Sequence, residues 1–215
     1  MNITRLIIMA PIFLLSLAVH EAAHGKVADM LGDPTPRMNG RLTLNPIPHI
    51  DPFGLLALFV TQRIGWAKPV PINPSYFKDY RKGMMLVGLA GPLSNFVLAG
   101  FGTVLYHGLD KWYFNTGGKL ANYFPGETLG IIVSMILGLV MVNIGLGIFN
   151  LIPFPPLDGS KILGGILPAK YHNLIAELEG GVGMVILIFL AVTGILGNLI
   201  SPIIMFILKL LGLPF

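Results

Sequence analysis

The 215-residue sequence contains no cysteine, which excludes disulfides, thiolate metal sites and cysteine nucleophiles, so any metal must be held by His, Asp or Glu. Charge is also scarce, at 11% of residues against the roughly 25% of an average soluble domain. No basic-aromatic pattern of the kind that binds RNA is present, so no nucleic-acid partner is expected. The net charge of +4 reads instead as affinity for membrane lipids with anionic headgroups. Internal repeats and low-complexity tracts are missing too.

What fills the sequence is apolar: 54% of its residues are hydrophobic. The long apolar stretches are Ile3 to Ala28, Met84 to Leu109, Leu129 to Ile152 and Val182 to Leu211, each at or above the roughly 20 residues that span a bilayer as helix. Ser201-Pro202 is expected to split the last into 182–200 and 202–212, because proline interrupts a helix. Phe53 to Ile64 is too short to cross and is expected to be re-entrant or interfacial. The first stretch could pass for a signal peptide, but polar residues stand where a small-residue cleavage site should lie, so it is kept as a mature helix. Polar segments of only about twenty residues separate the stretches. An all-α, polytopic integral membrane protein with one embedded domain over residues 1–215 and no appended soluble domain is therefore expected.

One apolar stretch carries His20-Glu21-Ala22-Ala23-His24. Residues four apart share a helix face, so His20 and His24 can grip one metal ion, with Glu21 beside it as a general base for water. The alternative is a chance histidine pair at a helix end, which would leave costly polar groups in apolar surroundings. A second constellation, Asn150-Leu151-Ile152-Pro153-Phe154-Pro155-Pro156-Leu157-Asp158-Gly159, ends the third stretch with prolines that force the backbone open. Asp158 offers the carboxylate that a two-histidine site lacks, or it N-caps the segment that follows. Asn150 is either a neutral donor to a developing oxyanion or a helix-end and interhelical hydrogen-bonding residue.

Charge placement tests whether these groups can meet. Lys26, Arg37, Arg41, Arg63, Lys68, Lys78, Arg81 and Lys82 follow the first stretch, whereas 107–128 carries only Lys111 and Lys119. The positive-inside rule places the crowded side in the cytoplasm. Helices two and three then cross out and back, which delivers Asp158 to the side of His20 and His24. Gly91 and Asn95, four apart on helix two, read as packing residues, Asn143 has no assigned role, and His49, His107 and His172 read as surface or interfacial residues.

HEAAH, Gly91-Pro92-Leu93-Ser94-Asn95 and NLIPFPPLDG, in that order, resemble the site-2 protease family of intramembrane zinc metalloproteases, in a compact form without an appended PDZ or CBS domain. The resemblance implies one Zn2+ held by His20, His24 and Asp158, with Glu21 as general base and Asn150 as a substrate-positioning or oxyanion-stabilising donor. It further implies a transmembrane protein or peptide as substrate, regulated intramembrane proteolysis at the plasma membrane, and a small membrane-associated β-hairpin from 41–48 and 65–73. Two other classes stay open on the residues alone: a non-enzymatic divalent-metal binding or transport protein, and a hydrolase of lipid or soluble peptides.

Overall fold

The computed structural model describes residues 3–61, 65–118, 124, 127–168 and 178–215. Its elements are α1 (Ile3–Met30), α2 (Thr35–Met38), α3 (Pro52–Thr61), α4 (Tyr80–Asn115), α5 (Thr128–Asn150), α6 (Asp158–Ile166), α7 (Gly183–Val192) and α8 (Ile195–Leu210). Among the described residues three helices are long and apolar enough to cross a membrane, over Ile8–Met30, Tyr80–Asn115 and Thr128–Asn150. In lipid this is the expected outcome, because a helix satisfies its own backbone while an open sheet edge does not.

α4 is the hub, packed against α1, α5 and α6. At 36 residues it runs about 54 Å, well beyond the roughly 30 Å apolar layer, which is why it outreaches its apolar run. Asp79 starts it by accepting from the Lys82 N–H at 3.1 Å, an N-cap. Small residues let its neighbours approach: a Cβ on Gly102 would lie 2.7 Å from Val140, and one on Gly147 of α5 would lie 2.8 Å from Phe96 of α4. Ala99, Val140, Ile144, Leu208 and Leu213 form the apolar cluster that ties α4 and α5 to α8.

The C-terminal stretch breaks elsewhere than its proline suggests. Pro202 lies inside α8, and the bend of 73° falls between α7 and α8. Gly194, at φ +80°, makes that break, since a left-handed residue stops a helix and glycine adopts it without a Cβ clash. Pro202 costs its helix one hydrogen bond, yet the helix continues through it from Ile195 to Leu210.

The expected hairpin is not formed as a sheet. Among the described residues its pairing is one antiparallel bridge, Ile50 to Ala67. Pro69 and Pro71 have no N–H to donate, and two neighbouring donors go to side chains, Val70 N–H to Glu21 and Asn73 N–H to Asp33, while Lys68 N–H to His49 O is the backbone bond of that bridge. Residues 65–73 are thus a strap held by that one backbone bridge and by the side chains of Glu21 and Asp33. His49, expected at the surface, is buried beneath it. Its Nε2–H donates to Thr43 O at 3.0 Å and its Nδ1 faces Arg41, which in turn donates to Lys68 O at 2.6 Å. His107 is exposed as expected; Arg63, Lys119 and His172 lie outside the described residues.

Candidate metal centre

Ile12, Ser16, His20, His24 and Ala28 recur every four residues along α1, and all are buried. This stripe faces α4 and α5, so the helical period that creates an inward face also turns both imidazoles into the bundle. Asp158 reaches the same point from α6. Its backbone gets there because Pro153, Pro155 and Pro156 end α5 and Gly159 passes the end of α5 so closely that a Cβ would sit 2.5 Å from the Ile152 carbonyl carbon. Leu157, not Asp158, occupies the N-cap position of α6. The carboxylate is free for other partners.

Three ligand-type atoms converge. His20 Nε2 and His24 Nε2 lie 3.0 Å apart, and Asp158 Oδ2 is 3.1 Å from the first and 3.0 Å from the second. The rings stand nearly perpendicular, at 86°. Behind each donor is a partner that fixes it. His24 Nδ1 meets the carbonyl of Val87 at 2.6 Å; a carbonyl only accepts, so the ring proton sits on Nδ1. His20 Nδ1 meets Asn95 Oδ1 at 2.6 Å. Asp158 Oδ1 accepts from Lys161 Nζ at 2.9 Å, which leaves Oδ2 as the inward oxygen.

This donor set fits a metal. With both protons on Nδ1, two imidazole lone pairs and a carboxylate oxygen point at one another, an arrangement that repels unless a cation lies among them. Tetrahedral zinc with N and O ligands about 2.0–2.1 Å away separates those ligands by roughly 3.3 Å, within a few tenths of the observed triangle. His20, His24 and Asp158 also form a group whose ligand atoms can hold one ion.

Glu21 lies on α1 next to the triangle without joining it. Its Oε2 accepts from Val70 N–H at 3.0 Å, so the strap holds one carboxylate oxygen. Asn150, the last residue of α5, donates from Nδ2 to Leu146 O of its own helix at 3.0 Å. The residues that sequence reasoning missed are those behind the donors: Ser16, Val87, Asn95, Asn143 and Lys161. Asn95, Asn143 and Ser16 carried a signal, since a polar side chain inside an apolar helix needs a partner; Val87 acts through its backbone and carried none.

Two histidines on a helix long enough to cross a membrane, joined by a carboxylate from α6, make a membrane protein with a group that could hold a metal ion. Residues 8–193 match the model of Peptidase family M50, and the chain belongs to that family. It is 38% identical over 186 residues to YwhC of Bacillus subtilis (strain 168), covering 84% of this chain and 78% of that one. Rip2 of Mycolicibacterium smegmatis is 29% identical over 84% of this chain and 65% of its own length. MJ0392 of Methanocaldococcus jannaschii is 30% identical over 54% of this chain and 30% of its own. The words zinc metalloprotease stand in all three names. No solved structure matches the chain. The protein is a metalloprotease of the membrane with zinc as its cofactor.

Proposed function

We propose that this chain is an intramembrane endopeptidase that hydrolyses a peptide bond within or beside a transmembrane segment of another membrane protein, as in regulated intramembrane proteolysis. The observation that carries the reading is the His20, His24 and Asp158 triangle with Glu21 beside it, set in helices long enough to cross a bilayer.

His20, His24 and Asp158 would hold the zinc. Bound there, zinc supplies Lewis acidity that polarises the scissile carbonyl and acidifies water. Glu21 takes the proton of the attacking water and returns it to the leaving amine nitrogen, so one carboxylate serves as base and then as acid. Held at Oε2 by Val70 N–H, it keeps Oε1 for that proton. Asn150 is a neutral donor suited to a developing oxyanion, because it need not change protonation as charge builds; one N–H of its amide is held by Leu146 O, and the second is left for that task.

Two features support an apolar substrate. A cleft between α1 and the strap is lined by Phe13, Leu14, Leu17, Pro46, Ile50 and Trp66, and Leu17 stands one helical turn before Glu21. Leu42 to Leu44 and Val70 to Ile72 would offer the extended edge that holds an unwound substrate segment by strand addition. α3, ten residues long, then serves as the re-entrant or interfacial piece. Replacing Leu42 to Leu44 with a scrambled sequence should abolish proteolysis while zinc content stays at one per chain; unchanged turnover would discard strand addition.

The excess of Lys and Arg after α1 supports a cytoplasmic-side centre in the plasma membrane, although Arg41 is buried and Arg81 donates to the carbonyls of Gly165 and Leu167 at the end of α6. The reading is tested with zinc-loaded protein in proteoliposomes beside a single-span substrate tagged at both ends. Mass spectrometry should map the cut inside or next to the apolar segment, and chelation should stop it until zinc is restored. Hydrolysis confined to soluble peptides, or zinc flux across the vesicle without hydrolysis, would sink the proposal.

A further inference from the structure

Three polar side chains that the chemistry above does not use lie in the middle of the bundle: Ser16 on α1, Asn95 on α4 and Asn143 on α5, each 0% exposed. Two amides and a hydroxyl buried without partners would cost several kcal/mol. They are fully bonded, and their bonds run in one direction. Asn143 Nδ2 donates to Leu139 O at 2.8 Å and to Ser16 Oγ at 2.8 Å. Because a backbone carbonyl only accepts, the NH2 end of Asn143 is fixed there and its Oδ1 must face away. That Oδ1 accepts from Asn95 Nδ2 at 2.7 Å, which turns Asn95 Oδ1 toward His20 Nδ1. Ser16 closes the chain by donating to Ile12 O at 2.8 Å, which leaves an oxygen lone pair for Asn143.

The consequence reaches the metal triangle. An Asn95 turned the other way would present N–H groups to His20, move the ring proton to Nε2 and remove the lone pair that faces His24 and Asp158. Asn95 Nδ2 also donates to Ser16 O at 3.4 Å, so two backbone carbonyls, Ser16 O directly and Leu139 O through Asn143, determine which nitrogen of His20 can bind. The chain also joins all three spanning helices, so His20 is metal-ready only when α1, α4 and α5 are docked together.

We propose that Asn95, oriented by Asn143 and Ser16, is a positioning residue that holds His20 in its Nδ1–H form and thereby sets the affinity of the centre for zinc. This rests on His20 being a zinc ligand. The measurement is zinc affinity of the detergent-purified full chain, by competition with a chelator of known strength. Wild-type protein comes first: failure to bind one zinc would overturn the ligand assignment itself, before Asn95 is at issue. Asn95→Leu, close in size but without acceptor or donor, should bind zinc roughly 10–100-fold more weakly, the usual cost of losing such a partner. Asn95→Asp, carrying a proton on the oxygen that faces Asn143 Oδ1, restores both the donor to that oxygen and an acceptor for Nδ1–H and should recover most of that loss, which a residue needed only for packing would not predict. Wild-type affinity in Asn95→Leu, or an Asn95→Asp as weak as Asn95→Leu, overturns the proposal. Should Asn95→Leu fail to fold, Asn143→Ala carries the test: it removes the 2.7 Å bond that orients the Asn95 amide and leaves only the longer one to Ser16 O at 3.4 Å, so weakened zinc binding supports the proposal and unchanged binding overturns the orienting part given to Asn143.

Discussion

Glu21→Gln should keep one zinc per chain and lose peptide-bond cleavage by at least the 10²–10⁴-fold that a positioned proton carrier typically contributes. The two side chains have the same shape, and glutamine can still accept the Val70 N–H that now meets Glu21 Oε2 at 3.0 Å, so the strap stays in place. Glu21 makes no part of the His20, His24 and Asp158 triangle, so zinc content should not change. What glutamine cannot do is take a proton from water. Initial cleavage rates beside zinc content measured on the same preparations decide the matter; a glutamine variant cleaving at a rate near wild type would remove Glu21 from the chemistry. Retained zinc and no cleavage in either protein would shift weight to the metal-transport class.

The second large effect belongs to a residue that touches no substrate. Gly91→Ala should cost zinc affinity more than the roughly 10–100-fold typical of outer partners, and cleavage with it. A Cβ there would lie 2.5 Å from His24 Cε1 and 2.6 Å from His20 Cε1, distances that real carbon atoms do not share. One turn earlier on the same face Gly88 is packed as closely on α6, where a Cβ would be 3.0 Å from Asp158 O and from Lys161 Cβ, so a retreat of α4 would open that contact as well. The rings must therefore move, and the triangle opens. Gly100→Ala on the same helix is the control, since nothing lies within 4 Å of its Cβ position. A Gly91→Ala protein with wild-type zinc affinity would show that the packing gives way more easily than this geometry allows.

Gly91 also shows the reach of sequence reasoning. The stretch from Gly91 to Asn95 was legible as a tight helix contact, because small residues four apart let helices close. That the partners in contact are the imidazoles of His20 and His24 was not legible, since nothing local to α4 names what it packs against. His49 gives the opposite case: no motif surrounds it, yet it is buried with Arg41 under the strap. The hairpin failed as a sheet because Val70, between two prolines, gives its only N–H to a side chain 49 residues away.

The sequence by itself determined the setting and the chemistry. Apolar run length identified the spanning helices, the i, i+4 spacing of His20 and His24 placed both rings on one face, and the proline-rich turn delivered Asp158, all of them local patterns with fixed periods. Only the tertiary structure decided which nitrogen of His20 is free, what holds Glu21 and why Gly91 has no side chain. The contacts His20–Asn95, Asn95–Asn143 and Asn143–Ser16 join positions 75, 48 and 127 residues apart. Hydrogen-bond direction at such distances is set by which helices dock, and docking depends on the shape of the whole bundle, which no local pattern in the chain encodes.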